Sequence, residues 1–249
     1  MRRTCTRVIT AILLSAALAQ AHAGELIVSA AASLTNAFKE LAGEYQSAHP
    51  DTQIHLNFGA SGALLQQITQ GAPVDVFASA DQETMDLAAE RQLIDTAQRA
   101  NFARNALVVV VPRATEQPPT TLEALRPLPR IAIGNPASVP AGRYAQSALE
   151  QAQLWEALHA RLILAQNVRQ ALDYVARGEV EAGFVYRTDA QQAAERVTLA
   201  FSVNLPNAIL YPIATTRSTR SAEEAQRFVA FVRSASGQAI LHKYGFLNP

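Results

Sequence analysis

Short apolar runs that empty into helices through residues with almost no side chain set the strongest constraint on this chain. In "IVSAAASLTNAF" (27–38) an apolar run ends in alanines, a serine follows, and a helical pattern starts at once. "FGASGALLQQI" (58–68) repeats the joint, and "IAIGNPASVPAGRYAQ" (131–146) repeats it more loosely. The pattern continues to the end. Strands are predicted at Leu26–Ala30, Ile54–Phe58, Val74–Ala78, Ala106–Val111, Arg130–Ile133, Leu162–Ala165, Ala182–Tyr186 and Ala208–Ala214. Between them, helices are predicted near 34–45, 64–68, 82–91, 141–153, 168–177 and 221–235, from apolar residues at 3.6-residue spacing. Strand–helix alternation of this kind predicts an α/β chain with mostly parallel sheets flanked by helices.

The first 23 residues stand apart. Arg2, Arg3 and Arg7 precede an apolar stretch from Ile9 to Leu18, and Ala21-His22-Ala23 supplies a small-x-small cleavage site. This is the pattern of a secretory signal peptide, and it predicts export to a bacterial periplasm. Cys5, the only cysteine, falls in that segment and not in a lipoprotein-type context, so no disulfide is expected. Without the three arginines the chain has 18 basic against 21 acidic residues, a net charge of about −3. That balance argues against a nucleic-acid or anionic-membrane partner. The length suits one large domain or two smaller ones. Two sheets are favoured because "NFARNALVVVVP" starts a fresh β-unit near the midpoint, with the last helix returning to the first unit.

In an open α/β sheet, ligands bind beyond the carboxyl ends of the strands, where helix N-termini gather. Each N-terminus presents unpaired N–H groups and about half a positive charge. Ser33 and Ser61 stand at N-cap positions, and the flanking Ala30–Ala32, Gly59, Ala60 and Gly62 leave the backbone open to a small anion. Pro140-Ala141-Gly142 and Asn167-Val168 offer two further helix starts. Serine is also an ordinary helix cap, so spacing alone leaves both readings standing. Tyr186, at the end of "AGFVY", is either an edge aromatic or a hydroxyl donor facing a cleft. Asp81 is read as a helix cap.

Other chemistries lack their residues. The joints contain no lysine, no GxxxxGK[ST] and no GxGxxG, which argues against a nucleotide site. His49, His55, His159 and His242 are scattered without metal-ligand spacing. "GASGA" is not a nucleophile elbow, and no paired base and nucleophile stand out, so the chain is not expected to be an enzyme.

Taken together, "AAASLTNAF", "FGASGALLQQI", "PVDVFASAD", "VPAGRYAQ", "NVRQALDYVARGEVEAGFVYRTDA" and "GQAILHKYGF" resemble, in this order, the periplasmic molybdate-binding proteins of bacterial ABC importers. The resemblance implies a two-lobed periplasmic binding protein fold of type II with two crossing strands and a ligand cleft between the lobes. With the signal peptide at 1–23, lobe I is expected over 24–104 and 217–249, and lobe II over 105–216. It also implies that molybdate or tungstate is held by hydroxyl and backbone N–H of Ser33 and Ser61, backbone N–H of Ala141 and Val168, and the phenol of Tyr186. No cofactor and no direct metal ligand are implied; the partner is a membrane permease, and the protein is a monomer. Arg187 stands where many relatives have a small residue, which bears on the rim of the cleft. The alternatives are another tetrahedral oxyanion such as sulfate, an exported enzyme, or a purely structural domain.

Overall fold

The computed structural model describes residues 24–249; the signal peptide expected at 1–23 lies outside them. The first half of the chain runs β1 (Gly24–Ala31), α1 (Thr35–Ala48), β2 (Thr52–Gly59), α2 (Ser61–Thr69), β3 (Val76–Ala78), α3 (Gln82–Glu90) and β4 (Ala100–Asn105). After the single residue Ala106 it enters a second unit: β5 (Leu107–Pro112), β6 (Ile131–Gly134), α4 (Pro140–Gln151), α5 (Trp155–Leu158), β7 (Leu162–Ala165), α6 (Val168–Ala176), β8 (Ala182–Tyr186), α7 (Arg187–Gln192) and β9 (Val197–Ser202). It then returns through β10 (Ile209–Thr215), α8 (Ala222–Arg233) and α9 (Ala235–Lys243).

Two five-stranded sheets result, in the orders β2-β1-β3-β10-β4 and β7-β6-β8-β5-β9. In each, three strands joined by helices run parallel, as a helical crossover requires. The strand that crosses between the sheets, β10 in the first and β5 in the second, runs antiparallel to both its neighbours. Four of the five strands in each sheet therefore point the same way, as expected, and only the crossing strand runs against them.

The same crossing moves one assignment. The segment 209–215, placed in the second lobe from the sequence, hydrogen-bonds to β3 and β4 of the first sheet. "ILYPIAT" is apolar and almost wholly buried, so its pattern suits the centre of either sheet and carries no address. Two further strands, β4 and β9, have no distinct pattern in the sequence. "NFARN" merges into the apolar run that follows it, and "VTLAFS" is a half-exposed edge.

The core explains the local choices. Leu26, Val28 and Ala30 of β1 and all five residues Leu107–Val111 are sealed from solvent. Helix α6 buries Val168, Ala171, Leu172 and Val175, an i, i+3, i+4, i+7 stripe against β6 and β8. Helix α2 ends at Gly71, whose φ of +88° suits a residue without Cβ. On one face of the first sheet Phe102 of β4 packs edge-to-face against Phe38 of α1, and Phe38 and Tyr45 of α1 pack edge-to-face against Phe228 of α8. The other face packs Phe77 and Ala214 against Leu64, Leu65, Ile68 and Met85 of α2 and α3.

Candidate functional site

Four helix starts meet between the lobes around a small cavity. Its walls include Ala32, Ser33, Gly59, Ala60 and Ser61 from the first lobe and Pro140, Ala141, Asn167, Val168 and Tyr186 from the second. All five sequence-predicted positions are thus brought together. Ala80, at the joint between β3 and α3, also lines the cavity and was not foreseen; "FASAD" carries the same strand–small-residue–helix signal as the other joints. No lysine, arginine or histidine is among the lining residues.

The serines do not cap as expected. Ala60 occupies the N-cap of α2, and Ser61 is its first helical residue. Ser33 lies inside a 3-10 turn, Ala32–Leu34, that leads into α1. Neither hydroxyl bonds its own helix, and α4, which opens on Pro140 after Val139, has no side-chain cap either. Helix geometry leaves the first N–H groups of each element without internal partners. At α6 the Asn167 side chain accepts only from Gln170 N–H, at 3.0 Å.

Released from capping, each serine is held by another group. Ser61 Oγ accepts the Ala80 N–H at 3.0 Å, which leaves its own proton to donate. Ser33 Oγ sits 3.0 Å from Tyr211 Oη, and the direction of that bond can be worked out. Asn105 Oδ1 accepts Ala106 N–H, so its amide nitrogen must be the donor to Tyr211 Oη at 3.2 Å and to Thr188 Oγ1 at 2.9 Å. Burial pushes the Tyr211 phenol well above its ordinary pKa and keeps it protonated. Its proton goes to Ser33 Oγ, and the Ser33 proton remains for the cavity.

Tyr186 completes the set. It is 1% exposed, its Oη has no partner among the described residues, and burial raises its pKa well above the ordinary value. A buried phenol that stays protonated and unpaired at the wall of a cavity is a donor awaiting an acceptor. Behind it, Asp189 Oδ2 accepts the Tyr186 N–H at 3.2 Å, and Asp189 Oδ1 lies 2.6 Å from Arg169 Nε in an ion pair. Burial pushes the Asp189 carboxyl up, against the opposing pull of Arg169.

Two arginines stand near these helix starts but turn elsewhere: Arg169 to Asp189 and the Ser33 carbonyl, Arg143 to Asp81. Asp81 is the cap of α3, accepting from Thr84 N–H. Arg187 donates to Ser202 Oγ at 2.8 Å and is not among the lining residues. His49 stacks on Tyr45, and His242 bonds Asn248; among the described residues no group of three His, Cys, Asp or Glu converges.

Close backbone contacts allow the convergence. A Cβ on Gly142 would lie 1.9 Å from the Gly134 carbonyl oxygen, so only glycine lets α4 start so near the end of β6. A Cβ on Gly62 would lie 2.8 Å from the Ser138 carbonyl oxygen of the opposite lobe.

Known proteins share this architecture. The family model for bacterial extracellular solute-binding proteins matches residues 26–247. The chain is 36% identical over 235 residues to the molybdate-binding protein ModA of Escherichia coli, covering 92% of this chain and 91% of that protein. It is 34% identical over 223 residues to a putative ABC transporter substrate-binding lipoprotein, YvgL, of Bacillus subtilis, with 89% and 85% covered. The solved structure of the Azotobacter vinelandii periplasmic molybdate-binding protein superposes with a TM-score of 0.81 at 25% identity, covering 90% of this chain and 99% of that one. Its two lobes, its crossing strands and the extent of these matches place the chain in the bacterial extracellular solute-binding protein family, to which it belongs together with the molybdate-binding proteins.

Proposed function

We propose that the protein captures molybdate, and also tungstate, in the cleft between its lobes and presents it to the membrane permease of an ABC importer. The family role is solute binding and not catalysis. The observation that carries the ligand is a small cavity walled by helix N-termini and unspent hydroxyls, with no cationic side chain on it among the described residues. Ser33, Ser61, Ala141, Val168 and Tyr186 supply the donors. Four helix starts together offer a charge of roughly +2, spread over peptide groups. A fully deprotonated tetrahedral dianion matches that demand. A protonated oxyanion does not, because its O–H would find no acceptor in a wall of donors. Sulfate has the charge but shorter reach, so donors fixed on rigid lobes fall short of its oxygens. Hydrogen bonds to charged groups contribute about 1.5–3 kcal/mol each, so loss of two or three gives at least about 100-fold discrimination.

The names of the relatives, which include molybdate-binding proteins and an ABC transporter substrate-binding lipoprotein, support the same ligand and partner. Segment 1–23 exports the chain, and one chain supplies both walls of the site, consistent with a monomer. Calorimetric titration with molybdate, tungstate, sulfate and phosphate tests the reading. Molybdate and tungstate should bind tightly and sulfate at least 100-fold more weakly. Sulfate binding as tight as molybdate would replace the reading with that of a general oxyanion binder.

A further inference from the structure

Each second-lobe helix that opens on the cavity carries an arginine in its opening turn: Arg143 in α4, two residues after Ala141, and Arg169 in α6, beside Val168. Positive charge at that end opposes the helix dipole, so helix stability does not account for either. Arg143 leaves its own lobe. Its Nε and Nη2 reach Asp81 Oδ2 at 3.1 and 2.5 Å, and Nη2 also donates to Thr84 Oγ1 at 2.7 Å. Nη1 meanwhile holds the Pro136 carbonyl of the second lobe at 3.1 Å. Asp81 and Thr84 belong to the start of α3 in the first lobe, and Asp81 directly follows Ala80 of the cavity wall. The Asp81 side chain is 4% exposed and that of Arg143 19%. Glu83, 64% exposed and 3.4 Å from Nε, also faces the guanidinium.

We propose that Arg143 is a positioning residue for ligand retention, its guanidinium latching α4 of the second lobe onto Asp81 and Thr84 of the first while the lobes enclose the ligand. The inference rests on the ligand-binding role proposed above. With the lobes together, Arg143 is the cation paired with the Asp81 carboxylate among the described residues; with the lobes parted, water takes that place. Removing the guanidinium strands a buried charge in the shut form alone, and the parted form loses nothing. A penalty confined to one state shifts the equilibrium toward the other. Because the ligand escapes only from the parted form, the effect falls on dissociation and not on association.

The test follows release of radiolabelled molybdate from the purified protein during a chase with unlabelled molybdate. Arg143→Gln should raise the dissociation rate at least tenfold with association within twofold of wild type, and Arg143→Lys should recover part of the loss. Asp81→Asn keeps an acceptor for the α3 cap and should match Arg143→Gln, and the double variant should be no worse than the weaker single. An unchanged dissociation rate in Arg143→Gln, or strictly additive single effects, would overturn the latch. A second readout needs no ligand: spin labels on cysteines introduced at the exposed Glu90 and Glu150, in a chain whose one cysteine is Cys5. Arg143→Gln should broaden the inter-lobe distance distribution toward longer values; an identical distribution would overturn the latch. Failure of the wild type to bind molybdate would instead remove the functional reading, while the spin-label comparison still decides the latch.

Discussion

The Gly62 N–H donates to the Ser138 carbonyl at 3.0 Å, a main-chain hydrogen bond joining the first lobe to the second at the edge of the cavity. The donor sits in the first turn of α2, next to Ser61, and the acceptor lies just before the VPAG turn. Two of the walls are therefore fixed to one another by backbone alone. This contact has no room for a side chain on the donor.

Gly62→Ala should oppose closure. Its Cβ would press on the carbonyl oxygen of Ser138 at 2.8 Å and its Cα at 2.9 Å, both main-chain atoms that cannot swing aside. Molybdate affinity is expected to fall tenfold or more by calorimetry. The ligand-free melting temperature should hold or rise slightly, since alanine favours the helix by about 1 kcal/mol.

Tyr186→Phe should separate binding from stability. The phenol proton has no partner among the described residues, so its removal relieves a buried unsatisfied group worth about 1–3 kcal/mol. The ligand-free variant should melt at or above the wild-type temperature, yet bind molybdate roughly 10- to 100-fold more weakly. A fall in both quantities would show that the hydroxyl serves the fold.

Ser61→Ala should lower both. Ser61 Oγ holds the buried Ala80 N–H, so alanine leaves that donor stranded, at about 1–3 kcal/mol, and also removes a hydroxyl from the cavity. Thermal melts and titrations on one preparation would check the pair of effects.

Glu224 predicts an acid-sensitive anchor for α8. Burial alone would raise its pKa, but hydrogen bonds from Tyr45, Arg227 and Thr52 outweigh it and hold the carboxyl below its ordinary 4.5. A depressed carboxyl stabilises the fold above its unfolded pKa, and that stability is lost as pH falls through the folded pKa. Glu224→Gln should therefore melt a few degrees below wild type at pH 7. The gap should narrow as the pH falls below 4.5 and vanish below the depressed folded pKa, measured by melting curves across the acid range.

The five cavity residues were legible because the joints that carry them are local. Small residues, a serine or proline, and an immediate helical stripe are all within a few positions of each other, and strand–helix alternation aims every such joint at the same end of a sheet. Their assignment as one set came from the family resemblance and not from spacing. What the sequence hid was non-local. Tyr211 looks like a buried strand residue, yet its hydroxyl orients Ser33 across 178 positions of chain. Arg143 and Asp81 look like a surface charge and a helix cap until two lobes meet. The sheet membership of 209–215 was hidden for the same reason, since an apolar strand carries no record of its neighbours.

The run of donors from Asn105 through Tyr211 to Ser33 begins where the chain crosses between lobes. Its sense is dictated by one amide rotamer, which Ala106 N–H fixes from behind. A carboxamide turned the other way would make Tyr211 give its proton to Asn105, and Ser33 would then have to give its own to Tyr211. The cleft would greet an incoming anion with a lone pair. The electrical sign of one wall of the pocket is thus written where the chain crosses between lobes, so an Asn105→Asp exchange there should weaken solute binding by turning the Ser33 proton away from the cavity.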